Sequence, residues 1–230
     1  MSTVILVPAR YGSTRFPGKP LAELAGVPMI TRVYDRCKRA AEKLNCSVCV
    51  LTDDKRISDL FSPSEVWTDD SFYANGTERC AGFAKSSSGK KYNQFINVQG
   101  DMPDIKTDII QSVYKNLNLY DITTAHTEMH LSLRNDPNSV KMIEGHGQAL
   151  WFGRGFTQYG THHLGIYGYK KHALDKYLEC SVSEEEKIEK LEQLRWLKSG
   201  WKIGTTEVQF EGIEINSPED IGQWEQKRLS

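Results

Sequence analysis

Short apolar runs alternate along this chain with longer stretches in which apolar residues return every three or four positions. Val4-Ile5-Leu6-Val7 is an unbroken apolar run, the mark of a strand covered on both faces. Ile30, Val33, Tyr34, Cys37, Ala41 and Leu44 then recur at helical spacing, with Arg32, Arg36, Lys38 and Lys43 between them. Pro28 stands where a first helical residue is expected. A second run, Val48-Cys49-Val50-Leu51, predicts a strand ending at Thr52-Asp53-Asp54, with a short helix over 55–61. Helices are predicted over 76–85 and 106–119. Between them Phe95-Ile96-Asn97-Val98 reads as a strand running into Gln99-Gly100-Asp101. Strands alternating with amphipathic helices imply βαβ units.

The middle of the chain changes character. Residues 122–169 hold strand-like runs, including Ala149-Leu150-Trp151-Phe152 and His163-Leu164-Gly165-Ile166-Tyr167-Gly168-Tyr169, and little helical period. They read as mixed or antiparallel strands covering one end of the sheet. Helix returns over 184–198, with Ile188, Leu191, Leu194 and Leu197 as its apolar stripe and Glu184-Glu185-Glu186 as a solvated first turn. Ser217-Pro218-Glu219-Asp220 opens a last helix, with Ser217 as cap and Asp220 returning a capping-box contact. No repeat and no linker divides the chain. The expected fold is α/β: a Rossmann-like, mixed but mostly parallel sheet flanked by helices, in a single domain over 1–230 with a strand-rich extension at 122–169.

A length of 230 residues suits one such domain, and a net charge of −1 with acids and bases interspersed argues against a nucleic-acid binder, which would need a basic excess or stripe. The chain shows no polybasic anchor, no signal-like start and no apolar run long enough to span a bilayer, so a soluble cytoplasmic protein without a membrane partner is expected. Cysteines at 37, 46, 49, 80 and 180 are odd in number and scattered, which reads as reduced thiols. Cys46 and Cys49 have C-x-x-C spacing but lead into a strand, where residues three apart face opposite sides; core packing is the expected role.

The chemistry concentrates after the first strand. Residues 7–20 read V-P-A-R-Y-G-S-T-R-F-P-G-K-P. Arg10, Arg15 and Lys19 supply cations, Ser13 and Thr14 hydroxyls, and Gly12 and Gly18 tight turns. A loop of this kind after a first strand is where open α/β sheets bind phosphate. It is no P-loop: the spacing is one residue too long, and Pro20 stands where Ser or Thr would ligate magnesium. Strand ends converge on one sheet edge, which brings this loop towards the Gln99-Gly100-Asp101 turn and the Asn216 turn. Asp101 there reads either as a magnesium ligand beside a triphosphate or as an Asx-type turn residue.

Several motifs resemble the CMP-Kdo synthetases (3-deoxy-manno-octulosonate cytidylyltransferases). They are the opening loop, Gly76-Thr77-Glu78-Arg79, Asn97-Val98-Gln99-Gly100-Asp101, Asp136-Pro137-Asn138-Ser139-Val140-Lys141, His163 to Tyr169, Glu189 to Arg195, and Asn216-Ser217-Pro218-Glu219-Asp220. They run in order over nearly the whole chain. The resemblance implies a fold of the nucleotide-diphospho-sugar transferase type and a reaction in which CTP and an eight-carbon 2-keto sugar acid give the CMP-sugar and pyrophosphate. It implies catalytic roles for Arg10, Lys19 and Asp101. Nucleotide contacts would come from Ala9, Arg10, Ser13, Thr14, Arg15, Lys19, Gly76, Thr77 and Gln99. Sugar contacts would come from Gln99, Arg154, His163, Tyr167, Glu192 and Gln193. Mg²⁺ would lie at Asp101 and Asn216, and the assembly would be a homodimer built partly from the strand-rich middle.

The chain departs from that family at three places. Asn216 replaces a metal-binding aspartate, which removes a charge and predicts weaker metal affinity. Met102 replaces an acidic residue. The loop over 153–162 is short and altered, which changes the wall of the sugar pocket. The expected substrate is therefore Kdo or a close variant such as an amino-substituted sugar. The alternatives are a CMP-nonulosonate (sialic-acid-like) synthetase and a catalytically weak or silent nucleotide-binding relative.

Overall fold

The computed structural model describes residues 2–12, 16–156 and 158–229. Eleven strands and eight α-helices follow one another among them. The first half runs β1 (Thr3–Pro8), a 3-10 turn (Lys19–Leu21), β2 (Glu23–Leu24), β3 (Val27–Pro28), α1 (Met29–Leu44), β4 (Ser47–Thr52), α2 (Lys55–Ser58), β5 (Val66–Thr68), α3 (Gly76–Lys85), β6 (Gln94–Val98) and α4 (Thr107–Asn116). The second half runs β7 (Ile122–Thr127), a 3-10 turn (Leu131–Leu133), β8 (Lys141–Gly145), β9 (Gln148–Gly153), β10 (Thr161–Lys170), α5 (Lys171–Tyr177), α6 (Glu184–Glu189), α7 (Leu194–Lys198), β11 (Ile203–Glu207) and α8 (Glu219–Leu229).

Nine strands form one sheet in the order β5-β4-β1-β6-β10-β7-β11-β9-β8. β5, β4, β1 and β6 are mutually parallel, as are β7 and β11. β10 runs antiparallel to both β6 and β7. The middle segment therefore does two things where one was expected. The β8–β9 hairpin lies at a sheet edge, but β7 and β10 are interior strands. They carry buried side chains on both faces, which favours a central place.

Alternation along β1 sends Ile5 and Val7 to one face and Val4 and Leu6 to the other. The first pair packs under α1 and α4, against Ile30, Val33, Ile109, Ile110 and Val113. The second packs under α3 and α5, against Cys80, Phe83, Ala173, Leu174 and Tyr177. A smaller cluster of Leu24, Met29, Ile215 and Trp224 seats α8 beside the β2–β3 hairpin. Ala25 and Gly26, both at positive φ (48° and 72°), make its two-residue turn.

Other differences have simple causes. Pro28 caps α1 instead of starting it, because its ψ of 136° is extended. α2 stops at Ser58 and α4 at Asn116, both short of the predicted ends. The helix expected over 184–198 is two helices, broken at Lys190 in the left-handed region (φ 54°). The break turns the stripe, so Ile188 is 71% exposed while Leu191 and Leu194 are buried. Glu186 is not a solvated residue: it is buried against Arg195. At α8, Asp220 accepts hydrogen bonds from the Asn216 and Ser217 amides at 2.7 and 2.8 Å, as the capping pattern requires. The five cysteines are free thiols, with Cys49 inside and Cys46 partly exposed. No helix among the described residues is long and apolar enough to cross a membrane.

Candidate active site

The C-terminal ends of β1 and β6 are neighbours, and their loops define the site. Ala9 is buried, and its amide donates to Leu51 O, which fixes the exit from β1. Arg10 follows, exposed at the mouth. Ser13, Thr14 and Arg15 lie outside the described residues. The loop returns through Gly18 at φ 72°, whose amide donates to Tyr11 O at 3.0 Å. A side chain at position 18 would be strained there. That turn delivers Lys19 to the sheet edge, where its Nζ donates to Asp101 Oδ2 at 2.7 Å and to Ile215 O at 3.0 Å. One ammonium thus ties the first loop, the turn after β6 and the segment before α8. The Ile215 amide returns a bond to Asp101 O at 3.0 Å. Gly100 sits where a Cβ would be tight against the backbone, 3.2 Å from Pro8 O.

Glu214 completes this corner, and the sequence reading missed it. The Gly165 amide donates to its carboxylate, Asp101 faces it with like charge, and Lys19 and Arg154 oppose that charge. Burial first, and then Asp101, push its carboxyl up to about 8. The signal was present in Ile213-Glu214-Ile215-Asn216, whose strict alternation puts Glu214 and Asn216 on one face and seats Ile215 in the core. His162, also unforeseen, is buried with its Nε2 3.8 Å from Glu214 Oε2.

Gly76 and Thr77 open α3 beside these strand ends. A Cβ at Gly76 would lie 3.7 Å from Pro8 Cγ and 3.8 Å from Glu192 Oε1. Glu192 accepts from the Thr77 amide (3.2 Å) and hydroxyl (3.0 Å), and burial raises its pKa. Thr77 Oγ1 also meets Tyr169 Oη at 2.9 Å. A row of rings continues from there: Tyr169 to Tyr167 at 5.9 Å, then Tyr167 to His163 at 5.4 Å. Tyr167 and Gln193 are buried. The Gln99 amide donates to Gly165 O, which joins the β6 turn to β10.

His163 is buried and held neutral. Thr124 gives its hydroxyl proton to Ile166 O at 2.7 Å, so His163 Nε2, 3.0 Å from the same hydroxyl, carries the proton between them. Desolvation, with His162 next, drops the His163 pKa to about 3. Arg154 follows β9. Its Nε donates to Glu189 O and its Nη1 to Pro137 O and Asn138 O, at 3.2, 3.2 and 2.5 Å.

The predicted residues therefore gather in two groups that meet at Glu214. Lys19, Asp101 and Asn216 lie on the loop-and-turn side. Gln99, Arg154, His163 and Tyr167 lie along or beside β10. Glu192 is turned towards the N-terminus of α3. Asp101 and Glu214 are hard oxygen donors on one corner, with Asn216 next in the chain to Ile215, whose amide bonds Asp101 O; oxygen donors of this kind suit a small divalent cation. Two carboxyl groups facing each other there also fit one, with Lys19 and Arg154 offsetting their charge.

A sheet of this topology, with Lys19 paired to a carboxylate on the turn after the neighbouring parallel strand, fits a nucleotidyltransferase. The family model described as cytidylyltransferase matches residues 4–203, and the chain belongs to that family. It is 36% identical to a 3-deoxy-manno-octulosonate cytidylyltransferase of Parabacteroides distasonis, over 96% of both chains. It is 35% identical to an 8-amino-3,8-dideoxy-manno-octulosonate cytidylyltransferase of Shewanella sp. (strain ANA-3), over 99% of this chain and 98% of that one. Among solved structures, a CMP:2-keto-3-deoxy-manno-octonic acid synthetase complexed with CTP superposes with a TM-score of 0.88 at 28% identity, covering 100% of this chain and 99% of the other.

Proposed function

We propose that this protein transfers CMP from CTP to a 2-keto-3-deoxy sugar acid, Kdo or its 8-amino variant, releasing pyrophosphate, and works as a cytoplasmic homodimer. The observation that carries this reading is the Lys19–Asp101–Ile215 junction, which brings three separate chain segments together at the C-terminal ends of β1 and β6.

The anomeric hydroxyl oxygen of the sugar attacks the α-phosphorus, the bond to the bridging oxygen breaks, and pyrophosphate leaves as the hydroxyl gives up its proton. Little covalent work falls to the protein; positioning and charge neutralisation supply the rate. Arg10 and Lys19, with Arg15, hold the triphosphate and steady the charge on the leaving pyrophosphate. Gly76 and Thr77 border the nucleoside, and Gln99 stands at the junction of the two substrates. Arg154 receives the sugar carboxylate, while neutral His163, Tyr167, Glu192 and Gln193 shape the sugar side. Asp101 and Asn216, with Glu214 beside them, would hold Mg²⁺, which when bound supplies further neutralisation of the triphosphate.

Pyrophosphate release measured with CTP and Mg²⁺ tests this, in parallel reactions with Kdo, its 8-amino analogue, sialic acid and no sugar. Release that depends on an octulosonic acid is expected. CTP binding with no release from any sugar would instead mark a silent relative, and Asn216 would be its first suspect.

A further inference from the structure

Lys141 closes the Asp136 to Lys141 motif, for which the proposed reaction has so far given no use. It is 1% exposed and lies on β8 opposite both Gly153 of β9 and His162 of β10. Its Nζ donates to Asp136 O at 2.8 Å, Ser139 O at 3.1 Å and Arg154 O at 3.2 Å. All three ammonium protons therefore go to neutral backbone carbonyls. A buried cation held this way is costly, and the desolvation lowers its pKa. A methionine would fill the same volume without that cost.

What the charge achieves is visible in the carbonyls it gathers. Two belong to the 136–139 turn, and the two residues between them, Pro137 and Asn138, give the carbonyls that accept Arg154 Nη1. The third is the carbonyl of Arg154 itself. Val140, next to Lys141, accepts the His163 amide at 2.9 Å. One ammonium thus locks the platform under the Arg154 guanidinium to the backbone that carries it. The same short segment anchors His163.

We propose that Lys141 is a positioning residue for the acidic sugar, acting by fixing the aim of Arg154. This rests on the reading of Arg154 as the partner of the sugar carboxylate. Steady-state pyrophosphate release is measured for wild type, Lys141→Met, Arg154→Ala and the double variant, varying CTP and sugar acid separately, with thermal melts to check folding. In Lys141→Met the sugar KM rises about tenfold or more while the CTP KM stays within about twofold, since misplacement at one end of the site is not felt at the other. Added to Arg154→Ala, the same change moves the sugar KM less than about twofold, because no guanidinium remains to be aimed. If Lys141→Met does not fold, Lys141→Arg carries the same test: it keeps the charge but replaces the compact tetrahedral ammonium with a longer, planar guanidinium that does not match those three carbonyls. Equal shifts in both KM values, or a full additional effect in the double variant, overturn the proposal. Wild-type protein inert with every sugar acid overturns the functional reading and this role with it, whereas normal turnover with an unshifted sugar KM in Lys141→Met overturns the role alone.

Discussion

Acid should find this fold vulnerable at His162 and His163, and Glu214 should hide the effect. The two histidines are buried and neutral, with pKa values dropped to about 4 and about 3 from 6.5, burial being the main cause in both. Below pH 6.5 the unfolded chain binds protons at these positions that the folded chain refuses, so stability present at neutral pH is lost as pH falls. Between pH 7.5 and pH 5 this costs about 2 kcal/mol per histidine, about 4 kcal/mol for the pair. Glu214 works in the opposite direction. Its carboxyl titrates near 8 in the folded state against 4.5 in the unfolded chain. The folded state therefore holds the extra proton, and the same acidification returns about 3 kcal/mol. Wild type should therefore lose clearly less stability over this interval than Glu214→Gln, which lacks the compensating proton uptake. Urea unfolding at pH 7.5, 6 and 5 reads both slopes, and histidine ring NMR of the folded protein reads the cause. A Glu214→Gln variant with the wild-type slope, or a folded-state His163 midpoint near 6.5, would refute the reasoning.

Lys19→Ala and Asp101→Ala should each lower turnover at least about a hundredfold in a chain that still folds, although the melting transition drops because each leaves the other partner of the junction unpaired; near-normal pyrophosphate release from either would remove the junction from the chemistry. Asn216→Asp should lower the Mg²⁺ concentration giving half-maximal rate, which a magnesium titration checks. Gly100→Ala should lower stability and activity together, because the new Cβ meets Pro8 O, a backbone atom that cannot swing aside. Arg195→Met should cost about 3–5 kcal/mol in urea unfolding, since the guanidinium is 4% exposed and pairs with Glu186 at 2.6 Å and Glu78 at 3.0 Å.

The sequence announced what local pattern decides and hid what pairing decides. α3 begins and ends where its spacing placed it, and β1, β4 and β6 extend their apolar runs by one or two residues. β7 and β10 could not be placed from their own residues, because an interior strand and a covering strand present the same runs until their neighbours are known. The helix over 184–198 looked continuous, since nothing in its spacing marks Lys190 as left-handed. At the site, Lys19 and Asp101 were foreseen as partners in function, and the structure joins them directly. The corner around Glu214 is not legible from its own neighbours in sequence, because the groups that face it, Asp101, Gly165, Lys19 and Arg154, all come from other segments of the chain. Glu186 was misjudged because its partner Arg195 lies in the next helix.

The antiparallel β10 at the heart of the sheet joins the parallel half late in the chain. Strands β5, β4, β1 and β6 are all complete by Val98, so the parallel half can pair as soon as it is made. β6 then presents an open edge until Thr161–Lys170 arrives, since β10 is its only other neighbour in the sheet order. If the parallel half pairs on the growing chain, β6 adds an unpaired edge to that of β5 until everything from α4 to β9 has been made. Such edges recruit other chains. The nascent protein is most exposed to misassembly in that interval, and a fragment ending before β10 should aggregate where the full chain does not.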